Sequence, residues 1–201
     1  MGLHGIVLLL RVNHILLELH DMRILAIDPG TTNTGIAIID IDANLQLHLI
    51  FAETIDAILL SQQYKDIAYL YGIRQAKIHA IATQIKYICT LYTPDVVISE
   101  APFYSPTRPN AFAALVETIT TIRCYVRQVF PYIDFSTIDP STVKKNMGVS
   151  GISGDKSLML KAVKLQRLSY ENSVNLDSLD EHAIDAISVG LYKCGEILSL
   201  E

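Results

Sequence analysis

The chain has 201 residues, half of them hydrophobic, and a formal net charge of -5. That length carries one domain with a real core, and the apolar share excludes a disordered or low-complexity protein. The acidic balance argues against a protein that coats nucleic acid without discrimination.

The apolar run at 6–10 ends at Arg11 and is too short to span a bilayer. No secretory cleavage pattern follows it. Residues 1–21 read as an N-terminal extension of open role, and 22–201 as a single domain. Alternating or continuous apolar character predicts strands at 23–28, 35–41 and 45–54, with turn residues between them. Ile67, Leu70, Tyr71, Ile78, Ile81, Ile85 and Ile88 give one apolar face to a long helical stretch from Tyr64 to Leu91. After Pro94, Asp95 to Glu100 reads as a short buried strand ending in a carboxylate. A proline-rich loop, Pro102 to Pro109, leads into a helix over 110–129. Another strand is predicted at 132–138, and Ser141 is expected to cap a short helix. A glycine-punctuated loop from Gly148 to Gly154 precedes a basic helix over 155–168. A last helix covers 179–198. Five strands, three of them consecutive, with helices between the others, predict an α/β fold: a mixed five-stranded sheet with helices on both faces.

Charge is unevenly spread. Lys144, Lys145, Lys156, Lys161, Lys164 and Arg167 face only Asp155 between 141 and 170, while 171–201 is almost wholly acidic. A basic block beside an acidic one suits a protein that grips phosphate with one and metal with the other. Cys89, Cys124 and Cys194 are few and far apart. They read as buried thiols in a reducing compartment, not a zinc site or a disulfide framework.

Asp28 ends one apolar strand and Glu100 another. Adjacent strands lie about 4.8 Å apart, so carboxylates at neighbouring strand ends can share a metal site. In the last helix His182 and Asp185 stand three apart, on one face. Clustered carboxylates suit Mg²⁺, and an imidazole widens the choice toward Mn²⁺. Each residue also has an ordinary reading. An Asp after a strand is commonly a turn residue, and a helical His is commonly a core or surface side chain. Glu100 and Asp185 sit in strongly apolar contexts, where burial without a partner is costly. Asp177, Asp180 and Glu181 read as solvated charges that favour the helix N-terminus.

Together these residues resemble the RuvC family of Holliday-junction resolvases. The family opens with Asp-Pro-Gly and closes the turn with Thr-Gly, here Asp28-Pro29-Gly30 and Thr34-Gly35. Its second acid is followed three residues later by an aromatic, here Glu100 and Phe103. A Val-Lys segment with spaced glycines and a later Lys corresponds to Val143, Lys144, Lys145, Gly148, Gly151, Gly154 and Lys156. A late helix carries two metal-site residues three apart, here His182 and Asp185. Many members have Asp where this chain has His182. The resemblance covers Met22 to Cys194.

The resemblance implies a ribonuclease H-like fold and a homodimer that makes paired nicks across a four-way DNA junction, leaving 5′-phosphate ends. It implies two Mg²⁺ or Mn²⁺ ions held by Asp28, Glu100, His182 and Asp185. Phe103, with Tyr104, would stack on a base displaced at the crossover, and Lys144, Lys145 and Lys156 would contact phosphates. A recombination helicase is a possible partner and no membrane is expected. The expected location is cytoplasmic, in a bacterial cell or a virus-infected host, with an organelle left open. Three competing readings stand beside this one. Another ribonuclease H-like metal nuclease would use the same acids on other branched DNA. A nucleotide-binding protein of the sugar-kinase and actin type would share Asp28-Pro29-Gly30-Thr31, but the second phosphate loop it needs is not found. A non-catalytic junction-binding module would keep the fold alone.

Overall fold

The computed structural model describes residues 21–149 and 157–199. Its sheet begins with β1 (Met22–Asp28), β2 (Asn33–Ile41) and β3 (Leu47–Asp56), an antiparallel meander. Three helices follow: α1 (Ala57–Ser61), α2 (Lys65–Tyr71) and α3 (Ile73–Tyr92). The chain then returns to the sheet as β4 (Val96–Glu100), parallel to β1. Helix α4 (Pro109–Val129) crosses to β5 (Asp134–Ile138), which is parallel to β4. The described part closes with α5 (Pro140–Asn146), α6 (Ser157–Lys164), β6 (Leu168–Tyr170), a 3₁₀ turn at Leu176–Ser178 and α7 (Glu181–Leu198). The strand order is β5-β4-β1-β2-β3-β6.

Strand periodicity decides what lies on each face. Ile24, Ala26, Ala37, Ile39 and Ile98 point to one side and pack under α7, α5 and α6. Leu25, Ile27, Ile36, Ile38 and Val97 point to the other and pack under α3 and α4. Helices therefore cover both faces, as expected. Helix α7 is apolar nearly all round, with Ala183, Ile184, Ala186, Ile187, Val189 and Leu191 all buried. A helix of that kind belongs in a core, and here it lies between the sheet and the shorter helices.

The sheet has six strands, not five. The basic segment expected as one helix to residue 168 stops at Lys164, and Leu168–Tyr170 pair with Leu47–Leu49 as a short edge strand. Three residues are too few for periodicity to reveal. The long helix expected over 64–91 is two helices, separated at Gly72, whose φ of +90° breaks the helical path. A further short helix, α1, precedes them and is capped by Asp56. The cap of α5 is Asp139 and not Ser141: its carboxylate accepts the Ser141 N–H at 2.8 Å. Cys89 and Cys194 are buried, and burial pushes both thiols up to about 12. Cys124 is exposed, against expectation. Residues 1–20, Gly151, Gly154 and Lys156 lie outside the described residues. Among the described residues no helix is long and apolar enough to cross a membrane.

Two glycines of the β1–β2 turn have separate duties. A Cβ at Gly30 would overlap the Asn33 carbonyl, so only glycine lets the turn close. Thr34, fully buried, locks that turn by donating to the Gly30 carbonyl at 2.8 Å. A Cβ at Gly35 would overlap the His182 carbonyl instead, because the first turn of α7 rests directly on β2. Neither obstacle is a flexible side chain that could swing away. Gly35→Ala should therefore displace the start of α7 and cost about 2 kcal/mol of stability. Urea unfolding followed by circular dichroism should show a lowered midpoint with an unchanged slope.

Candidate active site

β1 and β4 run parallel, with Ile27 opposite Ser99, so Asp28 and Glu100 occupy the next position of the same register. By strand parity both share the face of Ala26 and Ile98, the one that α7 covers. The two carboxylates thus stand side by side at adjacent strand ends. On the other side of Asp28, Gly35 is its antiparallel partner, and Thr54 is the partner of Gly35.

Helix α7 is fixed over this row by its own cap. The Asp180 carboxylate accepts the Ala183 N–H at 3.1 Å and also the Thr54 hydroxyl, tying the helix start to β3. Asp180 is therefore a capping residue rather than a solvated charge. Asp177 pairs with Lys164. With the helix so held, His182 Nδ1 lies 3.1 Å from the Asp28 carboxylate. Asp185, one turn on, faces the same cluster.

Electrostatics shows how close the acids are. Burial, reinforced by the charges of Asp28 and Asp185, pushes the Glu100 carboxyl from its ordinary 4.5 to about 8. Burial, reinforced by Asp28, pushes Asp185 from 3.8 to about 6. His182 moves up, because its hydrogen bond to Asp28 favours the charged ring over the opposing effect of burial. Among the described residues Glu100 and Asp185 make no hydrogen bond or ion pair through their side chains. The pair formed by His182 and Asp28 leaves these two carboxyls without a counter-charge in contact.

The sequence-predicted set of Asp28, Glu100, His182 and Asp185 is thus brought together from two strands and one helix. Their donor chemistry fits a hard divalent cation: carboxylate oxygens, partly desolvated, lacking compensation. The set is open rather than pre-closed. No group of three His, Cys, Asp or Glu side chains among the described residues already stands in a geometry that would hold a metal ion.

Lys144, expected only as a phosphate contact, sits on α5 close enough that its charge favours ionisation of both Glu100 and Asp185. Asp139 also bears on Glu100. The signal for it was present as Ile138-Asp139-Pro140, which repeats the pattern of Ile27-Asp28-Pro29 at the end of a parallel strand. Lys145 is exposed on the same helix. Phe103 is 68% exposed in the loop after β4, and Tyr104 packs edge-on against Phe112 at 5.5 Å.

The chain has the fold of the RuvC-type Holliday junction resolvases. It superposes on Thermus thermophilus RuvC in complex with a Holliday junction substrate with a TM-score of 0.60, over 85% of this chain and 91% of that one, at 14% identity. The yeast mitochondrial Holliday junction resolvase gives 0.58 at 12% identity, over 84% and 75% of the two chains. A second Thermus thermophilus RuvC structure gives 0.51 at 14% identity, over 86% and 98%. No family model matches the chain. No curated protein matches it in sequence.

The raised acids make a prediction without any metal. A carboxyl whose folded pKa exceeds its unfolded value binds its proton more tightly when folded, so its contribution is full below 4.5 and is lost as pH rises toward 8. Metal-free protein should lose thermal stability across that window. Glu100→Gln should flatten the loss and melt higher than wild type at the alkaline end, read by circular dichroism. An unchanged pH dependence in the variant would remove Glu100 from the uncompensated cluster.

Proposed function

We propose that this protein is a structure-selective endodeoxyribonuclease that resolves four-way DNA junctions by metal-dependent hydrolysis. The observation that carries the reading is the convergence of Asp28, Glu100 and Asp185 on a resolvase fold, two of them half-buried with no hydrogen bond or ion pair to their side chains among the described residues. Mg²⁺ ions, or Mn²⁺ in their place, held by these carboxylates would supply the acidity that ionises a water and the positive charge that stabilises the departing oxygen. Glu100, protonated near neutral pH, would have to give up its proton to serve as a ligand, while Asp185 is already largely ionised there. His182 holds Asp28 in place through Nδ1, and once its ring has given up its extra proton it would be the fourth donor of the set. Lys144, with charge directed at the same carboxylates, neutralises the phosphate brought against them, and Lys145 extends that basic surface.

Selectivity for a branch point comes from the loop after β4. Phe103 stands exposed three residues beyond Glu100, where its ring is free to stack on a base unpaired at the crossover; Tyr104, braced by Phe112, supports that loop. Lys156 continues the phosphate contacts in this reading. Paired nicks need two active sites, and one chain carries one, so the working form is a homodimer. A helicase that moves the branch point is the natural companion of such an enzyme.

The test is cleavage of a synthetic four-way junction with Mg²⁺, resolved strand by strand, beside flapped and linear duplexes. Wild type should cut the junction in opposed strands and leave linear duplex intact. Asp28→Asn should fall to about a hundredth of that rate or less while still binding the junction. Phe103→Ala should cut the junction about tenfold more slowly with duplex binding unchanged. Full activity in Asp28→Asn would overturn the site, and equal cutting of linear duplex would overturn the selectivity.

A further inference from the structure

On the face of the sheet away from the carboxylates, α2, α3 and α4 line an open cavity of about 250 Å³. Ile67 and Ile78 are its apolar floor, Tyr71 and Tyr125 supply rings, and Gln75 and His79 supply polar edges. The polar groups are arranged, not incidental. The Tyr125 hydroxyl and His79 Nδ1 share a hydrogen bond at 2.6 Å, and the edge of Tyr64 braces the same imidazole at 4.6 Å between ring centres. Burial lowers the His79 pKa and raises that of Tyr125, so the ring is neutral and the phenol keeps its proton. A neutral imidazole carries its hydrogen on one ring nitrogen, so Nε2 donates when Tyr125 donates to Nδ1 and accepts when Nδ1 donates to Tyr125. The Gln75 amide nitrogen is committed to Glu117, leaving the Gln75 carbonyl oxygen as an acceptor. Thr121, also lining the cavity, donates its hydroxyl back to the Glu117 carbonyl and keeps lone pairs to accept with.

We propose that this cavity is a binding site for a single nucleobase, seated against the tyrosine rings and read by His79 Nε2 and the Gln75 carbonyl. Its volume lies below the roughly 300–1,000 Å³ of pockets that hold drug-sized ligands, so it takes one ring system and not a whole nucleotide. A heteroaromatic ring carries donors and acceptors along its edge and can satisfy both polar groups, whereas an aliphatic or purely aromatic group would strand them. The base can belong to a free nucleoside or to an unpaired position in a DNA strand. The site is separate from the carboxylate cluster and does not depend on the nuclease reading.

The chain has no tryptophan, so a fluorescent purine can be followed directly. Full-length protein, without Mg²⁺ so that no DNA is cut, is titrated into 2-aminopurine riboside and, separately, into a single-stranded oligonucleotide with one 2-aminopurine. Saturable quenching is expected. Tyr71→Ala should weaken it about tenfold with a melting curve close to wild type, because Tyr71 is exposed, and Gln75→Ala, which also removes the bond to Glu117, about fivefold at a temperature well below its own melting point. Quenching of the riboside alone identifies a free nucleoside as the ligand; equal sensitivity of the oligonucleotide to both substitutions identifies a base within DNA. No saturation with either probe, binding unaffected by both substitutions, or indole bound as tightly as the purine would each overturn the assignment.

Discussion

Three acidic side chains crowded together by packing that cannot relax are what the rest of this structure serves. Asp28 and Glu100 are placed by the pairing of two almost wholly apolar strands, and Asp185 by a helix buried on nearly every side. None of these elements can move apart without exposing core. Burial first, and the charges of their neighbours second, therefore raise the Glu100 and Asp185 carboxyls above their ordinary values. His182 relieves only Asp28. The geometry hinges on Gly35: a side chain there would lift α7 off the sheet and carry both His182 and Asp185 away from the strand ends.

Much of this was legible in the sequence because strands and carboxylates obey simple rules. Asp28 and Glu100 both terminate apolar runs, and strand parity puts them on one face; His182 and Asp185 are three apart on a helix. The parts that were hidden depend on contacts between distant segments. Nothing local to Gly35 announces that α7 lands on it, since Thr34-Gly35 also reads as a turn. Leu168–Tyr170 is a strand only because Leu47–Leu49 offers an open edge. Lys144 looked like one cation in a basic block until the fold placed α5 beside the acids. Gly72 was visible, but a single glycine within an otherwise helical pattern does not by itself mark a break. Asp139 could have been found, because its Ile-Asp-Pro context repeats that of Asp28.

The division of labour between the two faces follows from the same sheet. One face carries α7 and the acids, with Lys144 and the exposed Phe103 around them. The other carries α3 and α4, packed through an apolar core, with Tyr64, His79 and Tyr125 forming a small polar aromatic group beside it. The similarity to resolvases of known structure establishes the fold, at 12–14% identity. The activity rests on the site, and above all on whether its acids await a cation.

That claim is tested most directly by titrating Mg²⁺ into the metal-free protein near neutral pH and measuring heat in buffers of different ionisation enthalpy. The account predicts binding with net proton release, because Glu100, with its pKa near 8, must ionise to become a ligand. The release should fall sharply in Glu100→Gln. Tight binding without proton release, or the same release in the variant, would contradict it.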